Sequence, residues 1–457
     1  MAFTKTLEKA FEKYVPSPFV IAVFLTLFTI VLGLFFTKNT TDESHIVSIL
    51  KFWEKGIWNS ALLVFGYQMM LILVLGHILV LSKPMSALTD RITSFVHSTT
   101  SAVILVSITT MLVAFFNWGL GLIFGAIMAR KVAEASLRRG FSINYPLVGA
   151  SGYVGLMIWH GGISGSAPLK VAETGHLQAL MQGITSKEMA AQIPDFIATS
   201  ETVLSWWNLT IFGVLLLVIP ITLYFLAKKS DAKPIHFLKK VESSEFEESV
   251  SSKHIENSKI AAISFGVLIL VAFFVQYFDT LAKLVITPNM LNFFMLGLGI
   301  ILHGSFSSFA NALGEAISGV SGILIQFPLY FGIMGIMKDA GMVLMISNAF
   351  ISVSNEVTLP IFTFFSAGLV NIFVPSGGGQ WALQGPIVIE SALQLGVPLP
   401  KMVMALSYGD QITNMLQPFW ALPLLAITKL KAKEILPYTI ILMLVGSCVF
   451  LLGLLLF

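Results

Sequence analysis

Long apolar runs constrain this chain most strongly, because several are long enough to cross a lipid bilayer as helices. Crossing the hydrocarbon core takes about 20 consecutive apolar residues. Runs of roughly that length lie at residues 19–36, 58–82, 206–227, 260–279, 289–304, 310–337 and 437–457. Of the 457 residues only 11% are charged, too few to cover a water-facing surface. The sequence therefore predicts an all-α polytopic membrane protein embedded in a lipid bilayer, and it argues against a nucleic-acid partner.

Four other stretches are apolar but are interrupted by clusters of Gly, Ser, Asn, Gln and Pro. They lie at 101–130, 145–180, 357–391 and 402–428. Unpaired backbone groups cannot face hydrocarbon, so irregular backbone at membrane depth must be buried or line an aqueous cavity. Close packing alone would account for scattered glycines, but it explains four mixed clusters poorly. We expect re-entrant hairpins in the first and third stretches, and discontinuous transmembrane helices in the second and fourth.

The basic residues indicate how the chain is oriented. Loops that alternate to one side of the membrane contain 19 of the 27 Lys and Arg residues, whereas the opposite loops contain seven. Cytoplasmic loops are enriched in Lys and Arg. We therefore expect a cytoplasmic N-terminus and a C-terminus on the outer side. Residues 1–17 are expected to form an N-terminal amphipathic segment rather than a cleaved signal.

A polar segment divides the chain into two similar halves. Residues 228–258, rich in Ser, Lys and Glu, are expected to form a flexible cytoplasmic linker. It separates a first repeat, 18–227, from a linker helix and second repeat, 259–457. With the orientation above, the interrupted pair is entered from the cytoplasm in one half and from outside in the other, which predicts inverted repeats. Paired broken helices in inverted repeats are typical of a transport site at the middle of the membrane.

The interrupted stretches carry four motifs that resemble those of bacterial short-chain fatty acid transporters. They are NWGLG at 117–121, WHGGISGSAPL at 159–169, VPSGGGQWALQGP at 374–386 and GDQITNMLQPFWALPLL at 409–425. The similarity runs over most of the chain. That family is related to the ion transporter superfamily, which includes the divalent anion–sodium symporters.

The resemblance implies a secondary active transporter of the bacterial inner membrane, not an enzyme. It implies uptake of monocarboxylates such as acetate, butyrate or acetoacetate with H⁺ or Na⁺. By this resemblance the hairpins and broken helices, 101–205 and 357–428, move as an elevator against a scaffold that supports a homodimer. The hairpin tips read NWG at 117–119 and PSG at 375–377, unlike the Ser-Asn-Thr of dicarboxylate relatives. Details of the sodium sites are therefore not carried over directly.

The polar groups of the four motifs suit a small anion with a single charge. None of the four Arg residues lies within a motif, so no bidentate clamp for a second carboxylate is visible. Backbone N–H groups freed at glycines, with hydroxyl and amide donors, remain to bind one carboxylate. The candidate substrate-binding residues are Asn117, His160, Gly161, Gly162, Ser164, Gly165, Ser166, Ser376, Gly377, Gly378, Gly379, Gln380, Trp381, Thr413 and Asn414.

Five large side chains in or beside the motifs have two interpretations each. The indoles are candidates to enclose a short alkyl tail, or to pack and anchor at the membrane interface; they are Trp118, Trp159, Trp381 and Trp420. Lys170 follows the first break, where it would attract the anion or extend to an aqueous vestibule.

The candidate ion-coupling residues are Asp410, His160, Asn117 and Asn414. A carboxylate in an apolar segment is unfavourable and suggests a function, so Asp410 is a candidate to bind sodium or carry the coupled proton. Capping of a helix is its structural alternative. His160 is a candidate proton relay or carboxylate donor, or a buried histidine bonded to a carbonyl. A sodium site is expected near Asn117, Ser164, Asp410 and Asn414, and no other cofactor is expected.

Two other classes of protein are alternatives to a symporter. Residues 162–165, GISG, fit the short GxSG pattern of intramembrane serine proteases. That pattern recurs easily in a chain rich in Gly and Ser, and it leaves the motifs of the second half without a role. A passive channel is the closer alternative, because re-entrant hairpins also build pores. Inverted repeats favour alternating access over a channel.

Overall fold

The computed structural model describes residues 16–39, 43–181, 191–233, 235, 253–282, 287–317 and 320–457. The amphipathic segment predicted at the N-terminus and most of the predicted polar linker lie outside these residues.

The first half of the described chain consists of ten α-helices. They are α1 (Pro18–Phe36), α2 (His45–Ile57), α3 (Ser60–Leu81), α4 (Lys83–Thr93), α5 (Thr99–Phe116), α6 (Trp118–Arg139), α7 (Tyr145–Ser151), α8 (Ser166–Val171), α9 (His176–Met181) and α10 (Trp206–Lys228). Short 3₁₀ turns occupy Val154–Met157, Trp159–Gly161 and Thr199–Glu201.

The second half of the described chain consists of eleven α-helices. They are α11 (Lys253–Glu256), α12 (Lys259–Ala282), α13 (Pro288–His303), α14 (Phe306–Ile317), α15 (Ser321–Asp339), α16 (Met342–Ile351), α17 (Leu359–Phe373), α18 (Gly377–Leu395), α19 (Leu399–Thr413), α20 (Pro418–Thr428) and α21 (Ala432–Leu456). A 3₁₀ turn lies at Asn414–Leu416.

Six helices in the described residues are long and apolar enough to cross a membrane, namely α1, α3, α5, α10, α12 and α21. Most of the residues of α1, α10 and α12 are not buried inside the protein, as expected of helices that face lipid. These features confirm the prediction of an all-α, multi-pass membrane protein. The apolar run at 310–337, predicted as a single crossing, is instead divided between α14 and α15.

The first hairpin consists of α5 and α6, joined through Asn117. Its arms run antiparallel and in close contact. A side chain on Gly121 would collide with Ala114, and one on Gly125 would collide with Thr110. Glycine thus allows the two helices to approach each other near the tip. This is the hairpin that the sequence predicted at 101–130.

The second hairpin consists of α17 and α18, joined through residues 374–376. Buried amides hold its arms together: Gln380 Nε2 donates to the carbonyl oxygen of Ala367 at 2.8 Å, and Gln384 Nε2 donates to Ser366 Oγ at 3.1 Å. Because these bonds join one arm to the other, the hairpin is fixed by polar contacts in addition to packing.

Each hairpin is followed by a helix that is broken, as predicted. The first broken helix, 145–171, ends its regular turns at Ser151 and resumes at Ser166 after two 3₁₀ turns. The second, 399–428, is regular to Thr413 and resumes at Pro418, with Gln417 in an extended conformation. The polar and glycine-rich residues of the four motifs therefore lie where regular hydrogen bonding stops.

Candidate functional site

The two hairpin tips and the two helix breaks meet in one region. We call it the junction and define it by residues 117–118, 159–167, 376–379 and 410–417. The backbone N–H of Trp118 donates to Ser164 Oγ at 2.9 Å, which joins the first tip to the first break. A Cβ atom on Gly377 would lie 2.8 Å from His160 Cε1, so the second tip rests directly on the first break.

A buried His–Asp pair lies at the centre of the junction. His160 Nδ1 and Asp410 Oδ2 are 2.5 Å apart, and both residues are almost completely buried. His160 Nε2 accepts a hydrogen bond from the backbone N–H of Ala167 at 3.0 Å. Since Nε2 accepts, the ring proton is on Nδ1, which donates to Asp410 Oδ2. Asp410 Oδ1 is buried and has no hydrogen-bond partner among the described residues.

At the first break, backbone groups that lack a partner within the helix form hydrogen bonds with side chains from other helices. Gln411 Oε1 accepts from the N–H groups of His160 and Gly161 at 2.8 and 3.0 Å. Asn208 Nδ2 donates to the carbonyl of Gly161 at 2.9 Å, and the Tyr408 hydroxyl donates to Asn208 Oδ1 at 2.6 Å. Buried backbone groups need such partners, so these three residues fix the shape of the break.

Asn371, on the second hairpin, performs the corresponding role at the second break. Its Nδ2 lies 2.6 Å from the carbonyl oxygen of Asp410, 3.0 Å from Thr413 Oγ1 and 2.8 Å from Asn414 Oδ1. Asn414 Nδ2 donates to the carbonyl of Leu156 at 3.2 Å. The breaks of the two halves are therefore linked to each other as well as to their own hairpins.

Sequence reasoning did not select Gln411, Asn208, Tyr408 or Asn371. Asn208 and Asn371 carried a signal, because each is an isolated amide within an apolar helix, where an unpaired polar group is unfavourable. Gln411 lies inside the fourth motif beside Asp410. Tyr408 carried no such signal, since a tyrosine in an apolar segment is also an ordinary packing residue.

Several predicted substrate-binding residues have structural contacts at helix starts. Asn117 Oδ1 accepts from the N–H of Leu120 at 3.0 Å, and Ser376 Oγ accepts from the N–H of Gly379 at 3.3 Å. These are N-cap interactions that begin α6 and α18. Two other predicted residues are glycines because of space: a side chain on Gly162 or Gly165 would collide with the backbone.

Three of the four predicted aromatic residues come together at the junction. The ring centroids of Trp118 and Trp420 are 5.3 Å apart, and those of Trp118 and Trp159 are 5.9 Å apart. Phe65 of α3, which the sequence did not suggest, joins them at 6.1 Å from Trp420. Trp381 is not in this group: its Nε1 donates to His176 Nε2 at 3.0 Å, within a separate apolar cluster.

The charged side chains that the structure describes lie outside the junction, with the exception of Asp410. Lys170 forms an ion pair with Glu173 at 2.9 Å, and both side chains are half exposed. Arg130 contacts Glu134 at 3.0 Å, in the second half of α6. A cavity of about 340 Å³ lined by Trp206 and other residues near the start of α19 contains none of the junction residues. The buried ionisable pair therefore identifies the junction as the candidate site.

Comparison with known proteins gives a full-length family match. The family model described as "Short chain fatty acid transporter" matches residues 2–457. A protein of Escherichia coli (strain K12), provisionally named a short-chain fatty acid transporter, is 37% identical over 460 residues, covering 99% of both chains. One of Haemophilus influenzae (strain ATCC 51907 / DSM 11121 / KW20 / Rd), with the same provisional name, is 34% identical over 453 residues, covering 97% of this chain and 96% of its own.

Two solved structures were also found, at low similarity. The Alcanivorax borkumensis YdaH transporter is 15% identical with a TM-score of 0.42, covering 96% of this chain and 98% of its own. Neisseria gonorrhoeae MtrF, of a class of antimetabolite efflux pumps, is 14% identical with a TM-score of 0.38, covering 98% of this chain and 97% of its own.

The family model and the two curated relatives span nearly the whole chain, so the match includes both hairpins and both broken helices. They confirm the predicted resemblance and the assignment as a transporter rather than an enzyme. This chain belongs to the short-chain fatty acid transporter family.

Proposed function

We propose that this protein takes up short-chain monocarboxylates by symport with a cation, and that both bind at the junction. One observation carries the proposal: the buried pair of His160 and Asp410 lies where four interrupted segments meet. Ionisable residues within the membrane are energetically unfavourable, and those that are present usually have a function. Interrupted helices at membrane depth provide polar groups that an aqueous solute needs.

The composition of the junction supports a substrate with one negative charge. Among the residues that define it, all of which the structure describes, there is no Arg or Lys to pair with a second carboxylate. Ser164, Ser166 and Ser376 are only partly buried there, and their hydroxyl groups are donors for a single carboxylate. The aromatic side chains nearby supply an apolar wall for a short tail, as in acetate, butyrate or acetoacetate.

The coupling ion is assigned to Asp410, as Na⁺ or as a proton. Oxygens of the other predicted sodium ligands already accept hydrogen bonds: Asn117 from Leu120, Ser164 from Trp118, and Asn414 from Asn371. A hard cation needs several oxygen ligands, and this set supplies one unpartnered oxygen, Asp410 Oδ1. A proton on Asp410 needs only that oxygen, whereas Na⁺ would also need the second lone pairs of these partnered oxygens; we propose proton coupling.

The proposed transport cycle is alternating access of the elevator type. The moving unit comprises the hairpins and broken helices, 101–205 and 357–428, whose tips and breaks are joined by the hydrogen bonds described above. The remaining helices form the scaffold, which is also the proposed surface of a homodimer. The two halves are proposed to be inverted repeats, with the N-terminus in the cytoplasm and the C-terminus outside the inner membrane.

The test is uptake of labelled butyrate by purified protein in liposomes. An imposed sodium gradient is compared with a proton gradient of equal size, and protein-free liposomes correct for passage of the neutral acid through lipid. Protein-dependent accumulation under one gradient would support the symporter and identify its ion. Downhill equilibration under both gradients would support a channel or uniporter instead, and absence of protein-dependent flux would contradict the proposal.

A further inference from the structure

Trp159 presents a buried donor with no acceptor. Its side chain is 5% exposed, and Nε1 has no hydrogen-bond partner among the described residues. Buried indole N–H groups usually find a partner. An unpartnered donor at the first helix break is therefore a group that a ligand with an acceptor atom would satisfy.

Several backbone donors at and beside this break are occupied by the protein itself. The N–H groups of His160 and Gly161 bond to Gln411, and the N–H of Ala167 bonds to His160. The N–H of Trp118 bonds to Ser164. The sequence suggested that backbone N–H groups at the glycines bind the carboxylate, but those named here hold the break together. The indole N–H of Trp159 is left without an acceptor.

The start of α18 lies against the same ring. A Cβ atom on Gly377 would be 2.8 Å from Trp159 Cη2. The N-terminal N–H groups of a helix and its dipole favour an anion. The tip of the second hairpin therefore contacts the six-membered ring of the indole, and the start of α18 lies beside the side chain that carries the donor.

The neighbouring aromatic rings form an apolar wall beside the donor. Trp118 and Trp420 are arranged edge to face at 75°, and Phe65 meets Trp420 at 80°. Phe65 belongs to α3 of the proposed scaffold, whereas the two Trp residues belong to the proposed moving unit. A wall made from both units would limit the length of an alkyl tail only in the conformation in which Phe65 of the scaffold lies beside the Trp residues of the moving unit.

We infer that the Trp159 indole N–H donates to the substrate carboxylate, while Trp118, Trp420 and Phe65 enclose its alkyl tail. The inference rests on the proposed function and deepens it, because it defines the ligand as an aliphatic monocarboxylate with a tail short enough for this wall. The donor sets the requirement for an acceptor group, and the wall sets the chain length.

Trp159→Phe keeps an aromatic ring and removes the donor. Loss of one hydrogen bond is expected to weaken butyrate binding about tenfold, measured by calorimetry on the detergent-solubilised protein. Trp53→Phe is the matched control: Trp53 Nε1 is also buried without a partner, but it lies against Gly332, away from the junction. The control is expected to bind butyrate like the wild type.

A spectroscopic measurement keeps the inference testable if Trp159→Phe is unstable. In ¹⁵N-tryptophan-labelled wild-type protein, one indole N–H signal is expected to shift on addition of butyrate, with smaller shifts for added butanol. Trp159→His restores a ring N–H and is expected to recover part of the affinity for butyrate that Trp159→Phe loses. The indole signal that is missing from the spectrum of this variant belongs to Trp159. If no indole N–H signal responds to butyrate, Trp159 does not bind the carboxylate.

The wall is tested by chain length. Phe65→Ala is expected to raise hexanoate uptake relative to butyrate, whereas an unchanged preference would remove Phe65 from the wall. The outcomes also separate the two proposals. If the wild type neither binds nor accumulates butyrate, the proposed function fails; if it does both and Trp159→Phe has wild-type affinity, only this inference fails.

Discussion

At the scale of single residues, the proposed coupling to a cation depends most on Asp410. Asp410→Asn preserves the size of the side chain and removes its charge, and the amide oxygen can still accept from His160 Nδ1. Concentrative butyrate uptake in liposomes is expected to fall to the protein-free level, with little change in the unfolding temperature. Asp339→Asn is the control, because Asp339 is a partly buried carboxylate outside the junction that pairs with Lys55. Normal accumulation by Asp410→Asn would contradict the coupling role.

The sequence identified both members of the central pair but not their contact. His160 and Asp410 were selected separately, because each is an ionisable residue beside a glycine in an apolar segment. They are 250 residues apart in the chain, and a local pattern contains no information on which distant segment it will meet. The proposed role of Trp159 as a donor could not be predicted from the sequence for the same reason, since an unpartnered N–H is a property of the folded surroundings.

At the scale of elements, Gln411 joins the two broken helices. Gln411→Leu has a similar volume but leaves the N–H groups of His160 and Gly161 without an acceptor. Each unsatisfied buried donor costs about 1–3 kcal/mol, so the variant is expected to unfold at a lower temperature and to bind butyrate more weakly. Gln394→Leu, on the exposed surface of α18, is the control. Unchanged thermal stability of Gln411→Leu would show that the break does not depend on this amide.

The contact between α9 and α18 is expected to depend on pH. Trp381 Nε1 donates to His176 Nε2, which requires that this nitrogen is unprotonated. Burial, followed by the charge of Lys170, lowers the pKa of His176 below its ordinary value of 6.5, while Glu173 opposes the shift. Because the unfolded chain then binds the proton more readily than the folded chain, protonation favours unfolding. The contribution of this contact to stability is complete above pH 6.5 and is lost as the pH falls through the lowered pKa.

The measurement is thermal unfolding between neutral and mildly acidic pH. His176→Gln retains an acceptor that does not titrate in this range, so its unfolding temperature is expected to fall less on acidification than that of the wild type. The exposed His97→Gln serves as the control. If the unfolding temperatures of the wild type and His176→Gln depend on pH in the same way, this contact is not the source of the pH dependence.

Elements were predictable where one physical property dominates. Apolar length locates the spanning helices, and clusters of Gly with polar residues locate the breaks, because both follow from backbone hydrogen bonding in lipid. The helix α2 was not anticipated, since at 13 residues it is too short to span. It is defined by tertiary packing: Gly56 lies against the backbone of Gly332 and Gly335 on α15.

At the scale of the whole molecule, elevator motion requires that contacts between the moving unit and the scaffold break in every cycle. One such contact is polar and mostly buried. Arg130, in the second half of α6, lies 3.2 Å from His77 Nε2 on α3 and 3.8 Å from Glu315 on α14. A charged contact can be exchanged for water or for new partners, whereas an interdigitated apolar contact resists sliding. We therefore expect this contact to separate as the hairpin moves.

Cross-linking distinguishes this motion from a rigid channel. With the single Cys448 replaced by Ser, the pair His77→Cys and Arg130→Cys is joined by a cleavable thiol-specific cross-linker. Butyrate accumulation is expected to stop on cross-linking and to return on cleavage, relative to the same variant before treatment. The pair Lys55→Cys and Asp339→Cys lies wholly within the scaffold and is expected to tolerate the cross-link. If the first pair transports at its full rate while joined, hairpin and scaffold do not move apart there, and the elevator proposal must be abandoned for these two units.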